Sequence, residues 1–274
     1  MRMAPTGAAV SGPHLSRFSA VVLAGERPGG SALSRELGLK AGVLVNVAGK
    51  PSLQRVIEAL QAAEWVDGGV VCGPTAEIYR ELEDFRNILE HSDFHWLAPA
   101  AGPSASAIKA VQSLGRYPVL LTTGDHALLT AELVDGFCRQ AATADGDIVA
   151  GLAPWPIVHA AFPESRRTVQ RYRGEAYCGT NLFAVLNPAG LGALQVWQEV
   201  ETLRKQPWKI ALKVGVWFML RYLFRRVSLR EAFSRLSEIS ACRAACVMVN
   251  DPRSAVDVDS VADRDLAERI LRQG

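Results

Sequence analysis

The chain has 274 residues, enough for one large α/β domain or two small ones with a substantial core. Hydrophobic residues make up 49% and charged residues 21%, near globular averages, which excludes a disordered or fibrous chain. A formal net charge of +2 gives no general attraction to nucleic acid.

Residues 1–17 are rich in Gly, Pro, Ser and Ala and lack a signal peptide's apolar core, so they read as a flexible lead. Residues 18–23 (FSAVVL) are an apolar run entering a Gly-rich turn, the pattern of a buried parallel strand. Over 52–63 the spacing is helical, with Leu53, Val56, Ile57 and Leu60 on one face. Strands are predicted at 68–72, 94–97, 117–122 and 147–152. Helices are predicted at 75–89, with Thr75 as N-cap, and at 104–114 and 131–142. This alternation predicts a mostly parallel sheet with helices on both faces. Ligands of such sheets sit beyond the carboxyl ends of the strands, so the loops after Leu23, Leu97 and Thr122 line one crevice. The second half is less regular, with strands at 177–186 and 244–249 and helices at 188–204, 207–224, 228–237 and 260–272. No repeat or low-complexity linker divides residues 18–274, which read as a single domain carrying a basic helical insertion at 205–238. No stretch reaches the roughly 18 uninterrupted apolar residues of a membrane span. The five cysteines, Cys72, Cys138, Cys178, Cys242 and Cys246, lack zinc-site spacing and read as reduced, buried thiols of a cytoplasmic protein.

Three blocks carry chemistry. The first is VVLAGERPGG, where a strand ends in Leu23, Ala24 and Gly25 and is followed by Arg27, Gly29 and Gly30. Glycines let backbone N–H groups approach phosphate oxygens, and arginine adds charge-assisted hydrogen bonds. The plainer alternative is a tight turn. No Gly-Lys-Ser/Thr follows, so it is not a P-loop. The second is LLTTGDHALLT, which delivers Asp125 at a strand's carboxyl edge, placed to hold Mg²⁺ against triphosphate oxygens. The alternative is a turn or N-cap aspartate; His126 reads as packing or support. The third is AVDVDSVADRDLAERIL. In a strand, Asp257 and Asp259 would share a face and need a cation or donors between them. Otherwise Asp259 or Ser260 caps the last helix.

Together the blocks resemble the MobA-like nucleotidyltransferase superfamily, over about residues 18–200 and again over 244–271. The resemblance implies a Rossmann-like α/β sheet of the nucleotide-diphospho-sugar transferase type. It implies that Leu23, Ala24, Gly25, Arg27, Gly29 and Gly30 hold the triphosphate and base. It makes Asp125 the Mg²⁺ ligand, with Asp259 as a second ligand and Asp257 beside it. Pro103, Ser104 and Ser106 lie where the family contacts the base, and Gly179, Thr180 and Asn181 where it meets the acceptor. Two positions depart from the pattern. Glu26 stands where a second glycine is usual, and Gly42 where a phosphate-neutralising lysine is usual, nine residues before Pro51. Lys40 is the nearest substitute, and Lys50 is a further cation.

The expected activity is Mg²⁺-dependent transfer of a nucleoside monophosphate from an NTP to a phosphorylated acceptor, with pyrophosphate leaving. Arg27, Lys40 and Asp125 carry it; Arg166, Arg167, Arg171 and Arg173, ahead of the acceptor strand, read either as a grip on the acceptor phosphate or as an exposed basic loop. Two alternatives stand. One is a degenerate member that binds nucleotide or a partner without turnover; the other is a glycosyltransferase of related fold, though GDHA lacks its Asp-x-Asp turn. Residues 204–230 hold eight cations and no acid, interleaved with Trp208, Trp217, Phe218, Tyr222 and Phe224. They read either as a peripheral interface with anionic membrane lipid or a phosphorylated, lipid-like substrate, or as a helical cap with snorkelling lysines.

Overall fold

The computed structural model describes residues 16–26 and 29–273. The expected flexible lead over 1–17 thus lies outside the described residues, apart from Ser16 and Arg17, and Arg27 also lies outside them.

Strand β1 (Phe18–Leu23) buries Phe18, Ala20 and Val22 on one face and Val21 on the other, as a strand covered on both sides should. Helix α1 (Ala32–Leu37), the hairpin β2 (Asn46–Val47) and β3 (Lys50–Pro51), and α2 (Ser52–Ala62) follow. Next come β4 (Val66–Cys72), α3 (Ala76–Glu81), α4 (Glu83–Glu90), β5 (Phe94–Leu97), α5 (Pro103–Leu114), β6 (Val119–Thr123), α6 (Ala131–Thr143), β7 (Ile148–Pro154) and α7 (Trp155–Ala161). The chain continues through β8 (Val169–Arg171), β9 (Ala176–Val185), α8 (Leu191–Thr202), α9 (Pro207–Val214), α10 (Val216–Leu223), α11 (Leu229–Ser240), β10 (Ala244–Met248) and α12 (Val261–Gln273).

Eight strands form one sheet in the order β10-β7-β9-β6-β1-β4-β5, with β8 added to β9. Its pairs are parallel except those of β9, which runs antiparallel to β6, β7 and β8. Leu53 and Ile57 of α2, Phe85 of α4 and Phe137 of α6 pack on one face. Ala107 and Val111 of α5 and Leu194 of α8 cover the other. A smaller cluster of Leu33, Val45, Leu128, Val256, Val258 and Leu266 knits α1, the turn after β6 and the segment before α12. That cluster lies beneath the carboxyl edge where a ligand crevice is expected.

Four expectations are corrected. The helix expected over 75–89 is two helices, broken where Leu82 adopts extended backbone (φ −95°, ψ 90°). The Arg86 guanidinium takes the freed carbonyls of Tyr79 and Arg80. The helix expected over 207–224 divides at Gly215, whose φ of 100° suits only glycine well. Pro188 opens a 3₁₀ turn, and α8 begins at Leu191. Asp257 and Asp259 lie in no strand. They face away from the core because Val256 and Val258, which alternate with them, are buried.

Candidate active site

The turn after β6 is tied to its surroundings by the backbone. The Gly124 N–H donates to the Leu23 carbonyl at 2.9 Å, joining the ends of β1 and β6. Ser52 Oγ donates to the Gly124 carbonyl at 2.9 Å, and the Val258 N–H donates to the Asp125 carbonyl at 3.0 Å. The last bond lays the segment bearing Asp257 and Asp259 against the Asp125 turn. Asp125 Oδ1 is sealed from solvent and has no hydrogen-bond partner among the described residues. The Thr122 and Thr123 hydroxyls and both His126 ring nitrogens share that state. Buried polar atoms are ordinarily paired, so a group of orphans at a strand's carboxyl edge marks a place for a ligand. Burial, joined by the charges of Asp257 and Asp259, pushes the Asp125 pKa up to about 7, with the Thr123 side chain acting the other way. Burial drives His126 down to about 4 against the pull of Asp257, so its ring is neutral at neutral pH.

Strand β9 reaches the same place through an irregularity. Its register against β7 slips between Ala150 and Leu152, and there Asn181 takes φ 51°. Asparagine tolerates this left-handed conformation better than most residues, and the bulge re-aims its side chain. Asn181 Nδ2 lies 3.4 Å from Asp257 Oδ2. Thr180 is buried and donates from Oγ1 to the Gly151 carbonyl at 2.9 Å, which fixes the bulge, while Gly179 is exposed. Arg167 corrects an expectation. Its side chain is 6% exposed and bridges Asp257 Oδ1 at 2.6 Å and Asp263 Oδ1 at 2.5 Å, so it positions Asp257 and is not free to grip a phosphate. Arg166, Arg171 and Arg173 remain exposed.

The Gly-rich loop leaves β1 with the Ala24 N–H donating to the Cys72 carbonyl at 2.9 Å. Gly25 then crosses Gly73, where φ is 109° and an added Cβ would stand 2.6 Å from Gly25 Cα. Glu26 turns its carboxylate inward. Oε1 accepts from the Ser31 N–H at 2.7 Å, and Oε2 from Ser34 Oγ and the Gly42 N–H, each at 2.7 Å. The two departures from the family pattern therefore meet in one contact. Lys40 pairs with Glu81 at 2.7 Å, both side chains exposed. Arg35 donates to the carbonyls of Gly29 (3.3 Å) and Gly30 (2.8 Å). Glu26, Gly29, Gly30, Lys40 and Thr75 line an open depression beside the loop. Arg27 falls outside the described residues.

At the start of α5, Pro103 is exposed while Ser104 and Ser106 are buried. The Ser104 N–H donates to Glu201 Oε2 at 3.1 Å and its hydroxyl meets the same oxygen. Ser106 Oγ accepts from the Ala100 N–H at 2.9 Å. Glu201 and Arg35 escape sequence reasoning, and so do the inward contacts of Arg167 and Glu26, because these contacts join loops and helices whose approach no periodicity encodes. Only the coincidence of Glu26 and Gly42 as paired departures hints at one of them.

Among the described residues, no three His, Cys, Asp or Glu side chains converge into a complete metal cage. Mg²⁺ needs no such cage: it keeps several waters and takes one or two carboxylates together with substrate phosphates. The orphaned Asp125 Oδ1, with two further carboxylates acting on it, fits an ion of that kind.

The mostly parallel sheet, helices on both faces and a site at the carboxyl edge define an α/β protein of the nucleotide-diphospho-sugar transferase fold. The MobA-like NTP transferase domain matches residues 20–182, more than half of the chain, and the chain belongs to that family of nucleotidyltransferases. A hypothetical transferase from Thermus thermophilus is similar at 29% identity and a TM-score of 0.76, over 90% of this chain and 99% of that one. CMP:2-keto-3-deoxy-manno-octonic acid synthetase complexed with CTP shares the fold at 13% identity and a TM-score of 0.56, over 94% of this chain and 99% of that one. So does 2-C-methyl-D-erythritol 4-phosphate cytidylyltransferase, also from Thermus thermophilus, at 14% identity and a TM-score of 0.53, over 93% and 99%. No curated protein matches the chain.

Proposed function

We propose that this protein transfers a nucleoside monophosphate from an NTP to a phosphorylated small molecule, a sugar phosphate, alditol phosphate or cofactor, and releases pyrophosphate. The observation that carries the reading is Asp125: a buried carboxylate oxygen at the end of β6, without a hydrogen-bond partner among the described residues and tied through Gly124 to the end of β1 and its Gly-rich loop. Asp125 would hold Mg²⁺ with Asp257 or Asp259, and the ion would supply positive charge against the triphosphate. An acceptor phosphate oxygen bonds to the α-phosphorus as the bond to the bridging oxygen breaks, and the electron pair leaves with pyrophosphate. This in-line displacement needs positioning and cancelled charge more than covalent help. In this reading Asn181 and Gly179 would meet the acceptor, Arg167 would hold Asp257 in place, and Arg27 and the loop amides would serve the triphosphate. The free, mostly buried thiols and the modest net charge support a cytoplasmic enzyme that does not act on nucleic acid. A thermal-shift panel of the four NTPs tests the proposal. A Mg²⁺-dependent rise with one preferred base is expected, and no metal-dependent rise with any NTP would overturn it.

One observation favours a second reading, a member that binds nucleotide or a partner without turnover. The Glu26 carboxylate already holds two backbone N–H groups, of Ser31 and Gly42, and so stands where a phosphate oxygen would be welcome. On this reading nucleotide raises the melting temperature but single-turnover assays with candidate acceptors give no pyrophosphate.

A further inference from the structure

Eight large hydrophobic side chains stand exposed among the described residues, and seven of them fall between Trp208 and Phe224. Trp208 is 60% exposed, Trp217 74% and Phe224 72%. Helices α9 and α10 bury no residue at all. Yet they are not loosely attached. Arg235 of α11 donates to the Val214 carbonyl at 2.7 Å, closing the end of α9. Lys213 pairs with Glu199 of α8, and Arg221 with Glu231 at 2.5 Å. Tyr222 packs edge-on against Tyr172, ring centres 5.8 Å apart. The inner side of the helix pair is thus pinned to α8, α11 and the turn after β8, which leaves the outer side apolar and unpartnered among the described residues.

The charge around that outer side is one-signed. Of the eight cations in 204–230, Lys213 and Arg221 are the ones engaged in ion pairs; Arg204, Lys205, Lys209, Arg225, Arg226 and Arg230 are exposed and make none among the described residues. Lys209 lies over the Trp208 ring at 5.2 Å. No helix is long and apolar enough to cross a membrane among the described residues. A platform with tryptophans at its face and, among the described residues, cations without ion-pair partners at its rim matches an anionic bilayer surface, where aromatic rings enter the headgroup boundary and cations meet lipid phosphates. A second copy of the chain is a poorer occupant, since a two-fold contact would set this basic rim against itself.

We propose that the α9–α10 platform docks the protein on anionic membrane, lying in the interface rather than crossing it. The test is flotation of the full chain without nucleotide, so that its outcome is separate from that of the transferase reading. Vesicles of phosphatidylcholine are compared with an equimolar mixture of phosphatidylcholine and phosphatidylglycerol, at low and moderate salt. Binding to the anionic vesicles should be at least about tenfold stronger and should weaken with salt. Trp208→Ala with Trp217→Ala should lower it at least about tenfold with an unchanged circular dichroism spectrum, because both side chains are exposed. Lys205→Glu with Arg225→Glu should abolish the preference for anionic lipid. Equal or absent recovery on the two vesicle types would overturn the proposal. So would retention of a single-stranded oligonucleotide with no vesicle binding, which assigns the patch to nucleic acid. Concentration-dependent dimerisation lost in the tryptophan variant, again without vesicle binding, would assign it to a second copy.

Discussion

Asp125 is held in a form that weakens the folded chain. Its pKa is raised from 3.8 to about 7, chiefly by burial, so the folded state takes up a proton more readily than the unfolded state. The sign follows: the penalty is absent below the unfolded pKa, grows as pH rises from about 4 to about 7, and is then constant. Asp125→Asn removes it. Part of the residue is open to solvent, so after allowance for screening the gain above pH 7 is about 1–3 kcal/mol. Thermal melts across pH should show the variant more stable than the parent above pH 7, by less at pH 5, while calorimetry shows Mg-NTP binding lost. A variant that gains no stability above pH 7 would mean that the carboxylate is already satisfied. Gly42 offers the complementary test. Its backbone is not left-handed, so a side chain brings no torsional strain there, although an added Cβ would stand 3.0 Å from Ser34 Oγ and 3.4 Å from Glu26 Oε2. Gly42→Lys sets an ammonium beside the inward Glu26 carboxylate and should tighten Mg-NTP by about tenfold, the scale of one charge-assisted hydrogen bond. Lys40→Ala should change affinity by less than about threefold, because Lys40 spends its charge on an exposed pair with Glu81. If Lys40→Ala is the more damaging of the two changes, Lys40 leaves Glu81 when nucleotide binds.

The β9 bulge and the Asp147 contact show how elements, rather than residues, set the site. Asn181→Gly suits the φ of 51° and should leave the melting temperature within a degree or two, yet it removes the amide that faces Asp257. Steady-state kinetics should then show acceptor turnover down about tenfold or more with NTP affinity little changed; an unaffected rate would take Asn181 out of the acceptor site. Asp147, ahead of β7, accepts from the Arg243 backbone N–H (2.8 Å), from the Arg243 guanidinium (2.9 Å) and from Asn187 Nδ2 (2.9 Å), which fastens β10 and the start of α8 to the sheet. Those hydrogen bonds hold its carboxyl well below the usual range. A depressed carboxylate stabilises the fold above its unfolded pKa and loses that effect as pH falls through and below about 4. Asp147→Ala should lower stability by about 1–3 kcal/mol at pH 7 and by somewhat less at pH 3, because the folded carboxylate stays ionised there and the effect vanishes only as pH falls through the folded-state pKa; denaturant melts at both pH values read this. Element order was legible in the sequence because β1, α2, β5 and β6 carry clean apolar periodicity. The antiparallel sense of β9 was not, since a strand's pattern is the same in either direction. The division of the 207–224 helix hangs on one glycine torsion, and α1, α7 and β8 are too short for a periodic signal.

For the molecule as a whole, the carboxyl-edge crevice could be anticipated from strand–helix alternation, and Asp125, Asp257 and Asn181 do come together at that edge. What could not be anticipated was how their neighbours are occupied: Arg167 by two carboxylates, Ser104 by Glu201, and Glu26 by its own loop. Those contacts join segments far apart in the chain, where composition says that charges exist but not which ones meet. The segment before α12 is the clearest case. Val256 and Val258 seat it against the turn after β6, and β10 completes the sheet beside β7. On the ribosome, β1, β6 and the Asp125 turn emerge long before Asp257 and Asp259. A chain halted at the limit of the family match, residue 182, could build most of the parallel sheet. It would still present one edge of β7 bare, Asp147 without Arg243, and Asp125 facing no opposing carboxylate. Interrupted synthesis should therefore yield a catalytically silent fragment with a free strand edge, prone to association, and competence should arrive late and all at once.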